Sequence, residues 1–544
     1  MKKAFFVFCA MMVFLFLACS PGQSGRPGGA ATSDDNPYGV RRISQTPITL
    51  RIFAPKASET PPFDLLVQFQ KYSEYTNVSV EWEQPTFELQ AERFNIILAS
   101  GDLPDMFWNI SNRQGAMVNL RAAGAITPLQ QFLTRENAPN FRKVVDDNPE
   151  TVKAFMEPDG NIWFLPFFDG LASNDPTILR ADWLEKLGLP LPVTKDDWLA
   201  YWRGVRDTDL NGQGAGTIIP LSAPNNTNAG FRSWVTLFGM NDGFYVDPND
   251  NFKVKYSNIE AGYREFLQWA NMLWNENILD REFASINSNT FLTKNSQNVI
   301  GSYRGKLNGN FNVFMATLPD RIPGYRVTGT EPPMAADGTQ LHYGVANFVR
   351  YDTIGGVVAA NSKFQKESVQ YADWFYDPVG PYGGAFMNLF GLEGITFEWI
   401  DGGNDWRYTD YVLRNPDGLS STAALLRYTN RNQGPGYNPP TSSMKMWHPA
   451  TLEAYEKIAP FYLASLQYKC ENLPFTDAES RTIRNRMADI QTYVDETVNR
   501  FIMGREPVAN FDNYVATVRR MGIDEVLEIY NAAYARWNAP RPAF

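Results

Sequence analysis

The stretch that most constrains the fold is a short one, from Leu89 to Trp108. Leu89, Phe94, Ile97 and Leu98 fall at helical spacing and predict an amphipathic helix. That helix stops at Ser100-Gly101, because glycine accepts the left-handed conformation of a helix end. Pro104 holds Leu103 extended, and Met106-Phe107-Trp108 then reads as a short buried strand. Helix, tight polar loop and strand make half of an αβ unit. The alternation begins upstream: Ile48 to Phe53 alternates like a strand, Phe63 to Tyr75 reads as a helix, and Val78 to Trp82 alternates again. Such a succession predicts a mostly parallel sheet covered by helices, with ligands beyond the carboxyl ends of its strands. At 544 residues the chain has room for two or more such units.

The first 47 residues stand outside this pattern. Residues 1–18 read as a leader, with Lys2-Lys3, an apolar run from Ala4 to Leu17, and a small Ala18 before Cys19. The run falls short of the ~20 residues that a transmembrane helix needs. Residues 19–47, rich in Gly, Pro, Ser and Asp, bury too little apolar surface to order themselves and read as a flexible tether. Phe16-Leu17-Ala18-Cys19 resembles a bacterial lipobox, with Phe16 where Leu is commoner. It implies lipidation at Cys19 and a membrane anchor; a plain secretory signal is the alternative. With Cys9 in the leader, the mature body keeps only Cys470, which can form no internal disulfide and no cysteine zinc site. Two histidines, His342 and His448, supply histidine catalysis poorly. The net charge of −10 and the lack of any Lys/Arg-rich run give no electrostatic footprint for nucleic acid. Aromatic residues reach 14%, which serves either a large core or the stacking of rings on sugar faces.

Several strings share one resemblance. They are Ala99-Ser-Gly-Asp-Leu-Pro-Asp-Met-Phe107, Arg180-Ala-Asp-Trp-Leu-Glu-Lys-Leu-Gly-Leu-Pro190 followed by Thr194 and Trp198, and Phe390-Gly-Leu-Glu-Gly394. The tail from Phe501-Ile-Met-Gly504 through Met521-Gly522 to Arg536 adds a Gly-broken loop and two helices. Together, from about residue 48 to the end, they resemble the family 1 extracellular solute-binding proteins. These are sugar-binding receptors of ABC importers, and the resemblance is in particular to the long lipoprotein branch that includes oligosaccharide and alginate binders. The resemblance implies an α/β, two-lobed periplasmic-binding-protein-like fold, each lobe a mostly parallel sheet flanked by helices, with hinge crossovers between discontinuous lobes. Lobe 1 is expected over 48–165 and 328–395, and lobe 2 over 166–327 and 396–544. Thr194 is read as a helix N-cap, with Asp197 three residues on.

The resemblance also implies a ligand cleft and its residues. Asp105 and Trp108 follow from the Ser-Gly-Asp loop, and Phe168 and Asp169 from the segment after Pro166 that crosses between lobes. Tyr303 and Arg304 end an apolar strand, where stacking and hydrogen bonds to hydroxyls or carboxylates are expected. Trp234, Asn388, Glu393 and Trp447 complete the expected ligand set. Asp207, Asp209, Asn211 and Gln213 have EF-hand-like spacing with Gly212 at the sixth position, but Ile218 stands where the bidentate Glu belongs. Calcium there and a simple polar turn are both open, and no cofactor is required. The function so implied is a monomeric, exported, membrane-anchored receptor, not an enzyme, which delivers a carbohydrate, in this branch an oligosaccharide, to an ABC permease. The competing readings are a peptide receptor and a surface polysaccharide-degrading enzyme. The latter needs two carboxylates about 5 to 9.5 Å apart across a cleft, and no local motif singles out such a pair.

Overall fold

The structure, a computed structural model, describes residues 40–542 except 112–114, 172–174, 223–229, 308–310, 343–347, 351–352, 379–382, 404, 418, 432 and 471–472. The leader, Cys19 and most of the tether therefore lie outside the described residues. In chain order the strands are β1 (Ile48–Phe53), β2 (Val78–Glu83), β3 (Met106–Ser111), β4 (Phe167–Asp169), β5 (Thr177–Arg180), β6 (Ile219–Leu221), β7 (Phe244–Asp247), β8 (Lys253–Tyr256), β9 (Ile300–Arg304), β10 (Val327–Thr330), β11 (Thr353–Val358), β12 (Phe397–Ile400), β13 (Asp405–Tyr408) and β14 (Gly436–Asn438).

Two four-stranded sheets form the centres of two lobes. The first runs β11-β3-β1-β2, with β2 and β3 parallel to β1 and β11 antiparallel to β3. Helix Gln90–Ser100 ends at Gly101, whose φ of 71° is the left-handed cap that the sequence predicts. Helix Val67–Thr76 buries Phe69, Tyr72 and Thr76, one stripe at helical spacing, against this sheet. The second sheet runs β10-β5-β9-β6. Here the expectation of a mostly parallel sheet fails: β6 is parallel to β9, but β5 is antiparallel to both β9 and β10. β5 enters from the hinge and β10 leaves toward it, so neither is joined to its neighbour by a right-handed crossover.

The second lobe has the larger core. Trp198 and Trp202, on helix Lys195–Asp207, meet Trp234 with ring centroids 5.2 and 5.1 Å away. That helix opens with the predicted capping box: Thr194 Oγ1 accepts from Asp197 N at 3.2 Å, and the Asp197 carboxylate accepts from Thr194 N at 2.9 Å. The C-terminal helices Asp477–Ile502, Phe511–Arg520 and Ile523–Asn538 send Ile490, Val494, Tyr514 and Val526 into the same core.

Three chain segments lie side by side where the lobes join. β4 pairs in parallel with β14, and Phe168 bridges to Val349 on its other side. Leu165 exchanges both backbone hydrogen bonds with Gly356, at 2.7 and 2.9 Å. A Cβ on the adjacent Gly355 would lie 2.3 Å from the Leu165 carbonyl oxygen, so only glycine allows this approach. Two expected boundaries shift accordingly. The one at 327/328 falls inside β10, which pairs with β5, and His342 N still bonds Ser465 Oγ at 2.8 Å in the second lobe. The one at 395/396 also fails. Phe397 and Trp406 pack on Phe386 and Phe390, and Gln433 bonds Ala57 and Thr60, keeping the chain with the first lobe as far as β14.

Candidate ligand site

A pocket of about 410 Å³ opens at the carboxyl ends of β1 and β3, where an α/β sheet is expected to hold its ligand. One wall comes from the sheet and the start of helix Gln90–Ser100: Phe87, Gln90, Asn109 and Ser111. The other comes from the start of β11 with the chain before it (Arg350, Thr353) and from the segment that leads into β14 (Leu426, Arg431, Gln433). Its volume falls within the ~300–1,000 Å³ usual for small-molecule sites.

The polar groups of this pocket are held in place before any ligand arrives. Asn109 is 5% exposed and adopts φ 55°, a left-handed conformation uncommon outside glycine, while its Nδ2 donates to Pro55 O at 2.9 Å. Gln90 Oε1 accepts from Ser111 N at 3.1 Å, and Gln90 Nε2 donates to Phe87 O at 2.9 Å. Gln433 Oε1 accepts from Ala57 N at 2.8 Å, and its Nε2 donates to Thr60 Oγ1 at 2.9 Å. Arg431 Nη1 donates to Leu389 O at 3.0 Å, and the Arg350 guanidinium sits 5.7 Å from the Phe167 ring centre. Phe87, 40% exposed, offers an open ring face at the rim. Behind the arginines lies Asp169, whose Oδ1 accepts from Asn438 Nδ2 at 3.1 Å and Leu171 N at 3.3 Å. Burial raises its carboxyl above the usual range, against the pull of the Leu171 N–H and of Arg350 and Arg431.

Full-length similarity accompanies this geometry. The chain is 23% identical over 543 residues to the fructooligosaccharide ABC transporter substrate-binding protein FusA of Streptococcus pneumoniae, covering 95% of each chain. It is 23% identical to the lipoprotein LipO of Bacillus subtilis (89% of this chain, 92% of LipO). To the polygalacturonan/rhamnogalacturonan-binding protein YtcQ of the same species the identity is 19% (96% and 98%). The chain is a homologue of the substrate-binding proteins of ABC transporters. No protein-family model matches it. Among solved structures, a human-milk-oligosaccharide-binding solute-binding protein from Bifidobacterium longum infantis superposes with a TM-score of 0.75 at 15% identity, over 91% of this chain and all of that one. The alginate-binding protein AlgQ2 gives 0.67 at 21%, over 91% and 99%. The fold is that of a solute-binding protein.

Within this solute-binding fold the expected site residues scatter. Asp105 lies at the amino end of β3, opposite the pocket, where its carboxylate accepts from Arg51 N at 2.9 Å and Ser362 Oγ at 2.6 Å. It ties β1 to the turn after β11. Trp108 is wholly buried, edge-on to Trp82 and Phe375 at 5.4 and 5.3 Å. Phe168 is equally buried among Phe141, Phe348 and Tyr376. Trp234 belongs to the tryptophan core of lobe 2, Tyr303 packs edge-on to Phe291, and Trp447 is buried beside Tyr455. Asn388 is buried in helix Gly384–Phe390, and Glu393 is exposed in the turn that follows. Only Asp169 comes close to the pocket, through its action on the two arginines.

Arg304 is the instructive case. It ends β9 as expected, yet its guanidinium donates to Thr177 Oγ1 (3.0 Å), Ser233 O (2.6 Å) and Thr236 Oγ1 (3.0 Å) and stacks 4.6 Å over Trp234. Only about 10 Å³ of space remains beside it, lined also by Asp175 and His342. Burial pushes the Asp175 carboxyl up to about 6 and the His342 imidazole down to about 3.

The Asp207–Gln213 loop does not fit a calcium ion. Both Asp207 oxygens accept from Arg206, at 2.7 and 2.8 Å. Asp209 accepts from Gly212 N at 2.9 Å and Asn211 Oδ1 from Gln213 N at 3.0 Å, while Ile218 at the twelfth position is buried and offers no side-chain oxygen. It is a polar turn closed by its own Asp and Asn side chains. Among the described residues no group of three or more His, Cys, Asp and Glu gathers as a metal site, and no helix is long and apolar enough to cross a membrane.

Proposed function

We propose that this protein is an exported receptor that binds a carbohydrate in the pocket beyond β1 and β3 and delivers it to an ABC permease. The observation that carries this reading is the pre-ordered ring of Asn109, Gln90, Gln433, Arg350 and Arg431 around an open space, with the Phe87 face at its rim. Such a wall matches a saccharide, whose hydroxyls need fixed polar partners and whose ring faces stack on aromatic carbon. The relatives that bind fructooligosaccharide and polygalacturonan support the same ligand class. Three adjacent segments at the lobe junction provide a hinge, and ligand held between lobes would favour the closed form that the permease recognises. Binding and release of an unmodified cargo is the proposed activity, not catalysis. Cys19 is the proposed lipid attachment site and residues 19–47 the tether to the membrane, with the receptor acting as a monomer.

A thermal-shift screen of the purified protein against neutral and acidic oligosaccharides tests this. A ligand at about 100 times its Kd adds about 2.7 kcal/mol to the folded state and raises Tm. A rise with one saccharide, recovered intact, supports the receptor. Recovery of shortened or eliminated products would contradict it.

A further inference from the structure

Besides the chain segments that cross between the lobes, a contact joins them where no chain crosses. Helix Ile523–Asn538 is rooted in the second lobe through Trp537, which stacks with Tyr534 against the small core of Val246 and Val254. Beyond it the chain reads Ala539-Pro-Arg-Pro542. Each proline fixes its own φ and holds the residue before it extended, so this segment is stiff. Ala539 leaves the helix extended accordingly, at φ −59° and ψ 144°. The segment lies on the first lobe. Arg541 Nε donates to Met156 O at 3.1 Å, and Pro542 covers Gly160, where a Cβ would come 3.2 Å from the proline ring. Arg541 Nη1 braces the segment itself, donating to Arg536 O at 3.1 Å and to Ala539 O at 2.6 Å. From the first lobe, the Lys153 ammonium sits 5.4 Å from the centre of the Trp537 ring.

The position of this contact gives it a direction. The pocket lies at the carboxyl end of β3 and the start of β11, where Ser111 pairs with Thr353. Met156 pairs with Ile162, Ile162 O accepts from Leu129 N, and Thr127 N donates to Val358 O, at the opposite ends of those two strands. The segment therefore ties the lobes on the side of the first sheet away from the pocket. The described residues of the pocket wall all belong to the first lobe, so the contact is made while the second lobe stands back from the pocket. A rotation that carries the second lobe over the pocket draws its far side away from Met156 and Gly160.

Resting on the receptor reading above, we propose that residues 537–542 form a strap that holds the lobes open and is released as they close over cargo. Closure breaks the strap's contacts, so the strap lowers the population of the closed form and, with it, the apparent affinity. The same contacts favour reopening.

Small-angle X-ray scattering of the ligand-free protein reads the strap without any cargo. Arg541→Ala removes the bond to Met156 from one lobe, and Lys153→Ala removes the contact with Trp537 from the other; neither residue lines the pocket. Each variant is expected to shift the radius of gyration to a smaller value. By calorimetric titration, each should bind whichever of kestose and trigalacturonate the parent binds about two- to tenfold more tightly, the size of one hydrogen bond. The ligand-free Tm of each should be no higher than that of the parent. Tighter binding without added stability is not what loss of a merely structural contact produces. An unchanged or larger radius, with unchanged or weaker affinity, would overturn the strap and leave the receptor reading intact. A smaller radius with neither saccharide bound would support the strap and count against the receptor reading.

Discussion

The carboxyl edge of the first sheet and the matching edge of the second handle polar side chains differently. Beyond β1 and β3, Asn109, Gln90 and Gln433 are each held by groups of neighbouring segments and surround about 410 Å³ of open space. At the edge formed by Thr177 and Arg304, the guanidinium, two threonines and a carbonyl bond to one another, leaving about 10 Å³. An arginine at a strand end is therefore not by itself a ligand group. It can become one only where there is room beside it.

The contrast can be broken most sharply at Arg304. Arg304→Met strands buried acceptors on Ser233, Thr236 and Thr177, and is expected to cost about 3–5 kcal/mol in urea unfolding. Saccharide affinity of the folded fraction should be unchanged; a loss of affinity with normal stability would reverse the roles assigned to the two edges.

Next comes Asp175 in the same tight space, one of whose carboxyl oxygens has no hydrogen-bond partner. Burial raises its pKa to about 6, above the 3.8 of an ordinary aspartate, against the pull of Lys306 and Lys469. The folded state holds the proton more tightly than the unfolded chain, so this contribution to stability is full below pH 3.8 and lost as pH rises through 6. His342, facing the same space, acts in the opposite sense: its contribution is lost as pH falls from 6.5 toward about 3. Asp175→Asn retains His342 and removes the first effect alone. Relative to the parent, it should gain about 2 kcal/mol between pH 4 and pH 8, measured by denaturant unfolding.

At the open edge the balance between stability and binding should invert. Asn109→Gly keeps the left-handed backbone and removes the side chain, so stability should change by less than about 1 kcal/mol while affinity falls roughly tenfold. Phe87→Ala should leave unfolding within about 0.5 kcal/mol and weaken saccharide binding a few-fold, the size of one ring contact. A core-like loss of stability at either position would erase the distinction between the two edges.

The features legible in the sequence were local ones. The glycine stop at Gly101, the capping box at Thr194 and Asp197, and the strand–helix alternation from Ile48 all depend on neighbours within a few residues. The pocket does not. Asn109, Arg350, Arg431 and Gln433 meet only because β14 returns beside β4 and Val349 beside Phe168, pairings that no periodicity announces. Aromatic residues misled for an energetic reason. Burying a large ring is worth about 1.5–3 kcal/mol, against about 0.5–1.5 for a stacking contact, so Trp108, Phe168 and Trp234 went to the cores. The motif Asp105, strong as a resemblance, proved to be a strand-end fastener. One signal did exist for the missed wall: residues 428–440 are dense in Asn, Gly and Pro, a composition that marks a loop rather than a core element, and they carry Arg431 and Gln433.

The most direct test of this account is backbone hydrogen exchange of the protein with and without a saturating concentration of the oligosaccharide that raises its Tm. The account predicts slowed exchange over residues 87–111 and 426–438, with 177–180 and 300–304 unchanged. Protection confined to 177–180 and 300–304, with none around Asn109, would place the ligand on the second lobe and contradict it.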